Sequence, residues 1–108
     1  MPAKNQELGW ILFNLRRAIE KVQDLNTSKH KGIPVVRWSK ELSKSDRHDI
    51  GLDILKLFLT GFANKYKLPK RTVKGIVDKY RKIDFTQVMV QPKSQLELAK
   101  LFRNMVVK

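Results

Sequence analysis

Between residues 6 and 25 the apolar side chains return every three or four positions: Leu8, Ile11, Leu12, Leu15, Ala18, Ile19, Val22 and Leu25. That spacing gathers them on one side of a 3.6-residue helix and leaves Arg16, Arg17, Glu20, Lys21 and Asp24 on the other. Trp10 and Phe13 flank the stripe and widen it. The helix therefore has surface for more than one partner, either the rest of the core or a second copy of the chain.

The same period recurs downstream. Ile50, Ile54, Leu55, Phe58, Leu59 and Phe62 predict a central apolar helix, capped by Ser45 or Asp46, with a bend or restart at Thr60 and Gly61. Val73, Ile76, Val77, Tyr80 and Ile83 predict a third helix over 70–83, for which Pro69 is a suitable start because its missing amide would be unpaired there. A last helix carries Leu98, Leu101, Phe102 and Met105 on one face, and Ser94 and Glu97 read as its capping box.

The connections are equally marked. Residues 26–38 combine turn formers with a basic run, and Pro34 excludes a regular helix interior, so they read as a basic loop tied down by Val35, Val36 and Trp38. Residues 39–44 suggest a helical turn. Residues 85–90 read as a short extended segment ended by Pro92. With 108 residues, no internal repeat and 9 Gly and Pro in all, the expectation is one domain over 1–108. Its class is all-α, a compact bundle of four or five helices.

Charge narrows the partner. The chain carries 23 Lys and Arg against 10 Asp and Glu, for a net charge of +13. Eight of the basic residues, with one acid, fall between positions 65 and 82. Such a cluster exceeds what solubility requires and points to a polyanion, nucleic acid before an acidic protein or a membrane surface. The opening residues lack the apolar core of a signal peptide, and no stretch approaches a bilayer span. The expected location is cytoplasmic and nucleoid-associated, or nuclear in a eukaryote, with no membrane partner.

Catalysis finds little support. Without cysteine, thiolate nucleophiles and thiolate metal sites are excluded, and two histidines make a zinc site unfavourable. Asp46, His48 and Asp49 suggest a general base, yet helix capping and a solvated imidazole explain them equally. No phosphate loop, dinucleotide fingerprint, zinc-protease motif or nucleophile elbow occurs. The chain is expected to be no enzyme and to need no cofactor or metal.

Residues 59–78 carry a short helix, a tight turn and a basic amphipathic helix. Here the chain resembles helix-turn-helix DNA-binding domains. Ala63 falls where that family places a small residue at the helix crossing, Leu68 where an apolar residue follows the turn, and Val73 and Ile76 where branched residues line the buried side, with Phe62, Tyr66 and Val77 in support. Two positions depart: Lys67 stands where Gly is frequent, and Pro69 where Ser or Thr caps. The 85–90 segment offers only one strand, so no wing is expected.

The resemblance implies double-stranded DNA as partner, with the second helix in the major groove. Lys70, Arg71, Thr72, Lys74 and Asp78 are then the base-contacting candidates, Arg71 or Lys74 donating to guanine and Thr72 meeting phosphate or a thymine methyl. Lys65, Lys67, Lys79, Arg81, Lys82, Lys29, Lys31 and Arg37 are the phosphate-contacting candidates. Gly75 reads either as a point of close approach or as a tolerated surface glycine. A homodimer pairing through the first or last helix would double the site read. Transcriptional control and phage or plasmid DNA maintenance both fit such a protein. Two rivals use the same lysines: RNA binding within a ribonucleoprotein, with Trp38 as its exposed stacking aromatic, and docking on an acidic protein.

Overall fold

In a computed structural model, which describes residues 3–106 and side chains from residue 6 to residue 106, the chain is an all-α bundle. The opening residues read above against a signal peptide lie in part outside the described residues. The order is α1 (Ala3–Lys29), a 3₁₀ turn (Val35–Arg37), α2 (Trp38–Glu41), α3 (Lys44–Tyr66), α4 (Lys70–Tyr80), α5 (Phe85–Val88) and α6 (Pro92–Val106). Four of these helices are substantial, and α2 and α5 are single turns. No strand occurs among the described residues, and no helix among them is long and apolar enough to cross a membrane.

α1 buries Ile11, Leu15, Ala18, Ile19 and Val22 and lies against both α3 and α6. It runs unbroken to Lys29, and just beyond its end Gly32, with a φ of 85°, turns the chain away. The buried stripe ends at Val22: Leu25 is 69% exposed, beyond the last position that meets a partner helix. Phe13 is also outside the core, 61% exposed, with the Arg17 guanidinium 5.8 Å from its ring centre. Trp10 instead lies half-buried, edge-on to Tyr66 at 6.0 Å.

α3 is central, as its composition predicts, burying Ile50, Ile54, Leu55, Phe58, Leu59 and Phe62. Its cap is Ser43, not Ser45 or Asp46. Ser43 keeps extended backbone angles, and its hydroxyl accepts the Asp46 amide at 3.1 Å. Nor does the helix bend or restart at Thr60 and Gly61. The Thr60 hydroxyl donates back to the Lys56 carbonyl at 2.9 Å, and the helix continues without interruption to Tyr66.

The segment expected to be extended at 85–90 is helical. Asp84 caps it, accepting from the Thr86 amide at 3.1 Å, and the buried Phe85, Val88 and Met89 follow helical spacing. The strand preference of Phe85, Thr86, Val88 and Val90 was overridden by that cap and by burial of one face. Pro92 then opens α6 rather than closing a strand. Ser94 consequently lies in the first turn and is no cap: its hydroxyl donates to the Gln91 side chain at 2.9 Å. Gln95, Leu98, Ala99 and Phe102 form the buried face, which leaves Leu101 48% exposed.

An aromatic cluster joins the long helices. Phe102 of α6 lies 4.8 Å from Phe58, 5.5 Å from Phe62 and 5.4 Å from Tyr80 between ring centres, and Phe62 lies 5.1 Å from Tyr66. Each tilted or edge pair adds roughly 0.5–1.5 kcal/mol to the burial of its rings. A polar hub completes the frame. The buried Gln95 amide donates to the carbonyls of Val88 and Met89 at 3.0 and 3.3 Å, while its oxygen accepts from Arg16 Nε of α1 at 3.0 Å.

Trp38 ties down the connection after α1 as expected, and corrects one expectation. Its ring is fully buried, its indole N–H donates to the Ile33 carbonyl at 3.0 Å, and His30 packs against it at 5.7 Å. It is not an exposed stacking surface, and the basic loop expected over 26–38 shrinks to residues 30–34, because α1 continues to Lys29 and a 3₁₀ turn begins at Val35; Trp38 pins that short connection to the core. Val36, by contrast, is 67% exposed and anchors nothing.

Candidate nucleic-acid interface

The turn between α3 and α4 is built from Lys67, Leu68 and Pro69. Lys67 adopts the left-handed conformation, φ 54° and ψ 46°, at the position where the resembled family favours Gly. The amides of Lys67 and Leu68 both reach back to the Ala63 carbonyl, the latter at 3.0 Å, which closes the end of α3. Pro69 stays extended and accepts the Thr72 and Val73 amides at 3.0 and 3.2 Å, so α4 begins immediately after it. Ala63 and Leu68 are half-buried at this corner.

α4 is amphipathic about one seam. Ile76 and Tyr80 are buried, Val73 and Val77 are half-buried, and the helix packs on α3 and, through Tyr80, on Phe102. It ends at Tyr80 rather than Ile83. Asp84 is committed to capping α5, so the chain leaves the helix axis through Arg81 and Lys82. Lys70, Arg71, Thr72, Lys74, Asp78 and Lys79 are all exposed, as is Gly75, where an added Cβ would meet nothing within 4 Å. On a helical wheel Arg71, Lys74, Gly75 and Asp78 lie farthest from the buried seam.

Two flanking lysines are held over aromatic rings. Lys65 Nζ stands 5.1 Å from the Trp10 ring centre and 5.7 Å from that of Tyr66, and Lys79 Nζ stands 5.5 Å from Tyr80. Tyr66 in turn donates its hydroxyl to Glu7. Such contacts orient an ammonium without neutralising it. Lys65 and Lys67 thus sit at the N-terminal side of α4, with Arg81 and Lys82 exposed at its C-terminal side.

The remaining candidates stand elsewhere. Lys29, the last residue of α1, and Lys31, on the connection after it, are exposed; the 3₁₀ turn of that connection packs on α2 and α5, whereas α4 packs on α3. Arg37 is paired with Glu41, which lowers its availability to a phosphate. Asp46, His48 and Asp49 do not assemble into a relay: the Asp46 amide serves the Ser43 cap and His48 Nε2 has no partner. No group of three His, Asp or Glu that could hold a metal occurs among the described residues.

Sequence reasoning passed over Lys44 and Arg47. With His48 they recur at i, i+3 and i+4 from the start of α3, a same-face spacing that is legible once the helix start is placed at Lys44. No family model matches the chain, and no match to it exists among the curated proteins or the solved structures.

Proposed function

We propose that this protein is a non-enzymatic binder of double-stranded DNA that presents α4 to the major groove, in the manner of a helix-turn-helix protein. The reading is supported above all by one observation. Lys70, Arg71, Thr72, Lys74 and Asp78 are all exposed on a helix whose opposite seam is anchored by Ile76 and Tyr80. An α-helix of this exposure fits the width of the major groove, and its N-terminal residues are the ones that reach base edges.

Lys65, Lys67, Lys79, Arg81 and Lys82 would then neutralise phosphates on either side, setting affinity and salt dependence rather than sequence preference. Transcriptional regulation or maintenance of phage or plasmid DNA is the role such a small reader serves. Pairing of two copies would extend the site, and the exposed Phe13 and Leu25 of α1 and Leu101 of α6 are the apolar surface for it.

Fluorescence anisotropy of labelled duplex DNA and single-stranded RNA, titrated with protein across a salt series, tests the proposal. Duplex binding with a steep salt slope, weakened by changing Lys70, Arg71 and Lys74 together to alanine while circular dichroism stays unchanged, is the expected result. Absence of duplex binding at low salt would overturn it. RNA binding in the same assay would transfer the basic face to the ribonucleoprotein reading, and binding of neither would leave an acidic protein as partner.

A further inference from the structure

Beside the exposed ridge of α4 lies a concavity of which the DNA reading uses only Arg81 and Lys82, as phosphate contacts. Lys44, Arg47 and His48 of α3 and Arg81, Lys82 and Asp84 after α4 line a cleft of ≈ 420 Å³, with Ile83 as its apolar wall. That volume is within the roughly 300–1,000 Å³ typical of small-molecule sites. Four formal cations face one carboxylate there, and Asp84 is already engaged by Arg47 at 3.0 Å and by the Thr86 amide at 3.1 Å.

An anion in the cleft would relieve the mutual repulsion of these cations. Lys44 and Arg47 lie in the first turn of α3, at the positive end of its helix dipole, where Asp46 is the one acidic residue. Two nitrogens in the wall, Arg47 Nε and His48 Nε2, are buried without any hydrogen-bond partner. Buried polar atoms are nearly always paired, so these two orphans mark a local shortage of acceptors beside the cleft. Lys44, Arg81 and Lys82 are exposed and unpaired by any salt bridge among the described residues, so they are available to close on a ligand.

We propose that this cleft binds a phosphate group. The chemistry matches tetrahedral oxyanions: a guanidinium fork from Arg81, ammonium groups from Lys44 and Lys82, and the N-terminal end of a helix. The volume leaves space for the moiety that carries the phosphate, which is either a small phosphorylated compound of nucleotide size or the backbone of the bound duplex. The site stands whether or not α4 reads DNA.

The test is a titration of the full chain with inorganic pyrophosphate and with adenosine monophosphate at constant ionic strength, followed by the NMR signals of the His48 ring and of the Lys44 to His48 amides. Saturable shifts are expected. Lys44→Gln and Arg81→Gln, both at exposed positions, should each weaken binding on the order of tenfold. Changing Lys70, Arg71 and Lys74 to alanine should leave it unaltered, so failure of the DNA reading and failure of this one give different patterns. Shifts that follow ionic strength alone, that chloride reproduces, or that neither cleft variant diminishes would overturn the proposal. Pyrophosphate added to the protein–duplex complex identifies the source: release of the duplex assigns the cleft to a backbone phosphate, and retention assigns it to a small phosphorylated ligand.

Discussion

Arg47 and Asp84, 37 positions apart in the chain, meet at 3.0 Å and thereby fasten the start of α3 to the link between α4 and α5. The same Arg47 nitrogen donates to the Ser39 carbonyl of α2 at 2.9 Å. Asp84 is shared as well, since its other oxygen caps α5 through Thr86. One ion pair thus closes a ring that runs out along α3, through the turn at Lys67 and back along α4.

Removing that pair should be costly although both side chains are partly exposed. Arg47→Met leaves the Ser39 carbonyl and the Asp84 carboxylate without their charged donor, an expected loss of about 2 kcal/mol. Asp84→Asn, which keeps the capping oxygen and removes the charge, should cost about 1 kcal/mol. Urea denaturation of both variants measures this, and unchanged midpoints would show that the ring is held by packing alone.

Gln95 is the second polar point on which the bundle depends. Gln95→Leu preserves bulk but strands the Val88 and Met89 carbonyls and releases Arg16. The predicted destabilisation is about 2 kcal/mol, within the cost of leaving buried acceptors unpaired. Thermal unfolding reads it, and faster hydrogen exchange at α5 than at α3 is the accompanying local signature.

Two glycines should respond to alanine with opposite signs. At Gly51 a Cβ would stand 3.0 Å from the fully buried Phe85 ring, which would have to shift, so Gly51→Ala is expected to destabilise by roughly 1–2 kcal/mol. At Gly75 the added methyl meets nothing, and Gly75→Ala should stabilise by about 1 kcal/mol through helix propensity. Chemical denaturation of the pair checks both, and equal shifts would refute the packing of Phe85 on Gly51.

Lys67 holds a left-handed conformation that glycine adopts without cost. Lys67→Gly should therefore raise stability by up to about 1 kcal/mol while reducing the salt slope of duplex binding by about one. A variant that gains stability and loses salt sensitivity separates the two roles of this residue. Loss of stability would mean that the turn relaxes out of the left-handed region in solution.

How much of this was legible depended on whether the determinant was local. The faces of α1, α3 and α4 followed from apolar period, because a single stripe is enough to orient a helix in any all-α core. The exposure of Lys70, Arg71, Thr72, Lys74 and Asp78 followed for the same reason. What escaped required knowledge of partners. Leu25 fits its stripe but lies beyond the last buried position of α1, Leu101 stands at the lateral edge of the buried face of α6, and Trp38 looked free because the carbonyl that binds its indole comes from Ile33. The α5 turn was misread as extended because its cap, Asp84, does double service with a residue of α3. The cleft was hidden for a related cause: Lys44 and Arg47 join Arg81 and Lys82 only through tertiary structure, and no run of sequence contains them all.

The edge-to-face pair of Trp10 and Tyr66 beneath the Lys65 ammonium makes the protein its own optical instrument. Its two indoles lie in contrasting surroundings, Trp38 sealed in the core and Trp10 half-open at the flank of α4's basic surface. Emission that a collisional quencher can reach therefore originates from Trp10, and it registers any polyanion that draws Lys65 off the ring, without a label attached to either molecule.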